Sequence, residues 1–131
     1  MNITKNFTLK ELTKTNTGIT NEPNKQELQA LIALSEKVLQ PLRGIYGKPI
    51  TVNSGFRSYA VNKAVGGARN SQHSKGEAAD ITVHTKEGNK KLFDIIKNEL
   101  EYDQLINEYD YRWIHVSYRA GSNRKQILKI G

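Results

Sequence analysis

The chain contains no cysteine, so neither a disulfide nor a thiolate metal ligand is available to it. No apolar run approaches the roughly 20 residues of a spanning helix, which excludes membrane insertion by that route. The opening stretch, MNITKNFTLKEL, has no apolar segment of signal-peptide length, so the expectation is synthesis in the cytoplasm without a signal peptide. Repeats and low-complexity tracts are absent too. At 131 residues the chain is expected to form a single domain, residues 1–131, with room for one core but not two. Its 37% hydrophobic and 25% charged residues are globular proportions, so this core should form without a covalent staple. A monomer is the default expectation.

Charge is plentiful and mostly of one sign. A net charge of +7 favours anionic partners through long-range attraction. The lysines and arginines are spread along the chain, however, and the six tyrosines do not interleave with them as base-stacking platforms would. No nucleic-acid partner is therefore expected.

Periodicity predicts an α+β fold, a small antiparallel sheet packed against helices. Thr8 and Glu11 have capping-box spacing, which predicts a short helix over about residues 8–13, with Phe7 stapled to Leu12. Pro23 suits the first turn of a second, longer helix, where Leu28, Leu31, Ile32, Ser35, Val38, Leu39 and Leu42 recur at helical steps. Pro41 is expected to kink its last turn, before Gly44, Gly47 and Pro49 end it. Residues 50–54 read as a strand, 59–67 as a short helix closed by glycines, 68–77 as a loop and 78–83 as a strand. A helix from Lys86 to Leu100 follows, then strands at 104–108, 113–118 and 125–130.

The chemistry concentrates in two of these segments. In SQHSKGEAADITV, His73 and Asp80 are separated by six residues that include Gly76, and Asp80 lies in a run that reads as buried. A lone buried carboxylate is costly unless it is paired or bound to a metal. In WIHVSY, a period of two puts Trp113, His115 and Ser117 on one face, and the same rule in QLINE groups Ile106 with Glu108. Two imidazoles and one carboxylate drawn from two strands and a loop make a three-ligand set that zinc accepts, with a fourth position left for water.

Three separated stretches, VNSGFRS, SQHSKGEAADI and WIHVSY, occur in an order that resembles the zinc D-Ala-D-Ala carboxypeptidases and L-alanyl-D-glutamate endopeptidases of bacterial cell-wall peptides, phage lysins included. The hedgehog signalling domain is similar to the same fold. The resemblance implies Zn2+ at His73, Asp80 and His115. It further implies Arg57 facing a substrate carboxylate or carbonyl oxygen, and Ser71 lining the substrate site. Glu108, seven residues before His115, is the candidate general base, matching a glutamate similarly placed in the hedgehog fold. Several family members carry an acid three residues before the last histidine, where this chain has Arg112, which accepts no proton near neutral pH. Asp110 is the second candidate for the base, and His84 reads as a surface histidine.

The implied function is zinc-dependent hydrolysis of an amide in the peptidoglycan stem peptide, by an L-alanyl-D-glutamate endopeptidase or a D-Ala-D-Ala carboxypeptidase. The implied setting is a phage or prophage lysin that reaches the wall after release or on a virion. Anionic wall polymers are then natural partners for the positive charge. The alternative is a catalytically inactive, zinc-stabilised binding or phage structural module, which the missing acid before His115 favours.

Overall fold

Helices and sheet meet across one apolar seam, and the opposite face of the sheet is left for chemistry. The computed structural model describes residues 1–131. Strands β1 (Asn2–Thr4) and β2 (Phe7–Thr8) form a small hairpin, too short for any period to reveal in the sequence. Helix α1 (Leu9–Leu12) begins on the expected box: Thr8 Oγ1 accepts from Glu11 N at 3.2 Å, and Glu11 Oε1 accepts from Thr8 N at 2.8 Å. Phe7 and Leu12 both enter the core.

Helix α2 (Lys25–Leu34) starts later than Pro23 suggests, because Asn24 is its cap. Asn24 Oδ1 accepts from Glu27 N at 2.8 Å and Glu27 answers at Asn24 N, so Pro23 lies outside the first turn. The expected kink near Pro41 also moves. The helix runs through a π turn, Ser35–Leu39, into α3 (Gln40–Tyr46), where Pro41 falls in the first turn. Proline can neither donate to the preceding turn nor tolerate its carbonyl closely, and the wider π turn just ahead of it provides the clearance. Leu31, Leu34, Val38, Leu39 and Leu42 form the buried stripe of this composite helix.

The remaining elements are β3 (Thr51–Ser54), α4 (Tyr59–Ala64), β4 (Ala78–Thr82), α5 (Lys86–Glu99), β5 (Gln104–Glu108), β6 (Trp113–Ser117) and β7 (Gln126–Ile130). Their order across the sheet is β3-β4-β6-β5-β7. Every pairing is antiparallel except the last, where β7 runs parallel to β5. Strand β6 already has neighbours on both sides, so β7 cannot pair with it and joins instead at the free side of β5, residues 118–125 carrying the chain back to that end.

Alternation then divides the sheet. Ala79, Ile81, Leu105, Ile114 and Val116 point into the core shared with the helices. Asp80, His115, Ile106, Trp113 and Glu108 project from the other face. No helix is long and apolar enough to cross a membrane.

Candidate metal centre and its cleft

The register between β4 and β6 builds the first half of the site. Asp80 is the direct partner of His115, so both side chains stand on one face within reach of each other, and His115 Nδ1 lies 2.9 Å from Asp80 Oδ1. His73 comes from a 3₁₀ turn, Gln72–Lys75, which Ser71 caps by accepting from His73 N at 3.1 Å. Its ring is buried; Nδ1 is 2.7 Å from the carbonyl of Gly55 and Nε2 is 3.4 Å from Asp80 Oδ2. A carbonyl can only accept, so Nδ1 carries a proton and Nε2 is the ring nitrogen turned to Asp80. Gly55 brings that carbonyl in because its backbone is pressed against Leu12: a Cβ would collide with the Leu12 carbonyl, and Phe56 N donates to the same oxygen at 2.8 Å.

One donor atom from each of His73, Asp80 and His115 lies within 4.8 Å of the others, a set that could hold a metal ion. Two imidazole nitrogens and one carboxylate oxygen suit a borderline cation with nitrogen and oxygen preferences, zinc among them. The fixed tautomer of His73 is the usual outer support of such a ligand. Burial raises the pKa of Asp80, but hydrogen bonds from His115 and His73, together with their charge, more than offset this and hold it well below the usual carboxylate range.

The three residues lie in an open cleft of about 520 Å³ that also receives Arg57, Ser71 and Glu108. Arg57 is oriented by Ser54 Oγ at 2.9 Å from Nε, with Asn62 Oδ1 at 3.4 Å from Nη1 and Asp80 Oδ2 at 3.5 Å from Nη2. Glu108 accepts from Trp113 Nε1 at 3.3 Å; burial, and after it the charge of Asp80, pushes its carboxyl up from the ordinary value. The other sequence-derived acid, Asp110, is not in this cleft. It is exposed, ion-paired with Lys86 Nζ at 2.7 Å, and lines a neighbouring hollow with Arg112. His84 is exposed as expected, its Nε2 lying 2.9 Å from Thr51 Oγ1.

The turn between β5 and β6 separates the two acids. Tyr109, Asp110 and Tyr111 are all left-handed, with φ of 52°, 56° and 63°. Such backbone costs a non-glycine residue roughly 1 kcal/mol or more. Asn107 Oδ1 accepts from Tyr111 N at 2.6 Å, and buried Asn89 donates to the carbonyls of Tyr111 and Arg112 at 2.9 and 3.1 Å. The turn thus closes with Glu108 opposite Trp113, two positions from the pair of Ile106 with His115.

Sequence reasoning missed a second polar assembly at the same cleft. Asp103 is completely buried, yet it accepts from Arg124 N, Nε and Nη2 at 2.9, 3.0 and 2.7 Å and from Gln72 Nε2 at 2.9 Å. Hydrogen bonds from Arg124 dominate and bring the Asp103 pKa down to about 2, against the opposing effect of burial. Through Gln72 this carboxylate also ties down the turn that carries His73. No local pattern marks it, because its donors stand 21 and 31 residues away in sequence.

Known proteins bear on this arrangement. A zinc D-Ala-D-Ala carboxypeptidase of Streptomyces albus G is 44% identical over 80 residues, which cover 58% of this chain and 31% of that protein. The chain thus spans under a third of the length of the relative it matches. The family model described as Peptidase M15 matches residues 5–117, a span that takes in the capping box of α1, Arg57 and all three candidate ligands. With so much of its length and its whole donor set inside that match, the chain belongs to the peptidase M15 family.

Proposed function

We propose that the chain is a zinc-dependent peptidase that hydrolyses an amide bond in the stem peptide of bacterial peptidoglycan. The observation that carries this reading is the convergence of His73, Asp80 and His115 within 4.8 Å in an open cleft that also holds Glu108 and Arg57. His73, Asp80 and His115 would hold the zinc, which supplies Lewis acidity that polarises the scissile carbonyl and acidifies water. Glu108, half-buried beside His115, takes the proton from water and returns it to the departing amine. Arg57 presents a guanidinium to a substrate carboxylate or to the negative charge that develops on the carbonyl oxygen. Ser71 contributes by building the turn that presents His73.

Two bonds fit this machinery. The cleft continues past the cluster to Ile130 on β7, room for a chain on both sides of the cut, which favours the L-alanyl-D-glutamate endopeptidase. The likeness to a D-Ala-D-Ala carboxypeptidase favours the terminal bond as the second reading. Endopeptidase cleavage dissolves the wall, the action of a phage or prophage lysin, and we extend the first reading to that role.

The test is digestion of purified peptidoglycan with and without a zinc chelator, with the released termini identified by mass spectrometry. New D-glutamyl amino termini are expected. Free D-alanine without solubilisation would replace the first reading by the second. A zinc-loaded protein that releases neither product would be a binding module.

A further inference from the structure

We propose that Arg124 is a specificity residue that receives a second carboxylate of the peptide, the side-chain carboxylate of a diaminopimelate-type third residue; this rests on the peptidase reading above. Arg124 lines the same cleft as the candidate ligands but from the other side. The strand order puts Arg57, just after β3, at one edge of the sheet and Arg124, just before β7, at the other, with Asp80 on β4 and His115 on β6 between them.

The guanidinium is used on one edge only. Its Nε and Nη2 meet the two oxygens of Asp103 at 3.0 and 2.7 Å, while Nη1 has no acceptor in the protein and half of the side chain remains exposed. A guanidinium carries five N–H groups in a planar fork, so the Nη1/Nη2 edge is left as a second fork matched to a carboxylate. Both Asp103 oxygens are filled, since each accepts two hydrogen bonds. The arginine is therefore held in place before any ligand arrives, which removes much of the ordering cost of binding. Arg57 differs: all three of its nitrogens face protein oxygens, one of them on Asp80.

Spacing selects the carboxylate. From the β4/β6 pair to β7 is two to three strand separations of about 4.8 Å, roughly 10–14 Å across the sheet, and Arg124 is offset along it, since β7 begins with Gln126 opposite Gln104 rather than opposite Ile106. The third residue of a stem peptide is second from the cut in both readings, on the amine side when the first amide is hydrolysed and on the acyl side when the last is, and its long side chain supplies the remaining reach. Ile106, the strand partner of His115, and Gln104 line the cleft on the way to Arg124, where the alkyl part of that side chain would lie.

The test compares the zinc-loaded protein on two stem peptides that differ only in a free or amidated side-chain carboxylate on the third residue. The wild type should prefer the free acid by about 10- to 100-fold in kcat/KM, chiefly through KM. In Arg124→Gln that ratio should collapse to about one, and Arg124→Lys should keep part of it. Titration with the peptides should also shift the Arg124 Nε–H resonance of the wild type for the free acid and not for the amide. A ratio that persists in Arg124→Gln, or a wild type indifferent to amidation, would overturn this proposal alone. Failure to cleave either peptide would overturn the peptidase reading and this one together.

Discussion

Asp80 and Asp103 are both buried carboxylates flanking the same cleft, yet their surroundings differ in kind. Asp103 receives four hydrogen bonds of 2.7 to 3.0 Å, all from arginine and glutamine donors. Asp80 has one close contact, 2.9 Å to His115, and two long ones, 3.4 Å to His73 and 3.5 Å to Arg57. Its imidazole neighbours are groups that bind a cation when neutral. A buried carboxylate saturated by permanent donors belongs to the framework. One ringed by loose contacts and titratable nitrogens keeps coordinating capacity for something else.

The largest test of this contrast is Asp80→Asn. It should abolish stoichiometric zinc, peptidase turnover and the rise in melting temperature that zinc gives the wild type, as read by metal analysis and calorimetry. Full zinc occupancy in that variant would erase the distinction. Next comes Glu108→Gln, expected to keep zinc while kcat falls by about 10²- to 10⁴-fold; unchanged turnover would remove Glu108 from the chemistry.

Asp103→Asn should behave in the opposite way to Asp80→Asn, keeping zinc and losing stability. The folded pKa of Asp103, about 2, lies below its ordinary 3.8, so its contribution is fully present above about pH 4 and is lost as pH falls towards 2. The shift corresponds to about 2 kcal/mol, and urea unfolding of wild type and variant across that window should differ by this amount at the upper end and converge at the lower. Smallest is Ser71→Ala, which removes one cap from a single turn and should cost about 0.5–1 kcal/mol in the same assay.

The same contrast explains what the sequence could reveal. His73, Asp80 and His115 were legible because two lie in a short string and the third in a strand whose alternation separates cleft from core. Asp80 stood out as an acid in an apolar run. Asp103, Arg124 and Gln72 carry no such mark, since each looks like an ordinary polar residue beside a turn and their meeting depends on the course of residues 118–125. The parallel approach of β7 was hidden for the same reason: strand period reports which face a residue takes, not the direction of its neighbour. Placing Asn24 rather than Pro23 at the start of α2 turned on a side-chain hydrogen bond, and the π turn turned on how the helix makes room for Pro41. Glu108 stood ahead of Asp110 by resemblance alone; that only Glu108 of the two lines the cleft depends on the left-handed turn, which three non-glycine residues do not advertise.

That turn also sets a rule of parity for the chain. Successive residues of β6 face alternately into the cleft and into the core, so shifting the register by one residue added to 109–112 would deliver Ile114 to the ligand position, one residue removed would deliver Val116, and either would turn His115 into the apolar core. Changes by two would return the imidazole to its face. Variants of this hairpin that still bind metal should therefore differ in loop length by even numbers, whatever residues they use to make the bend.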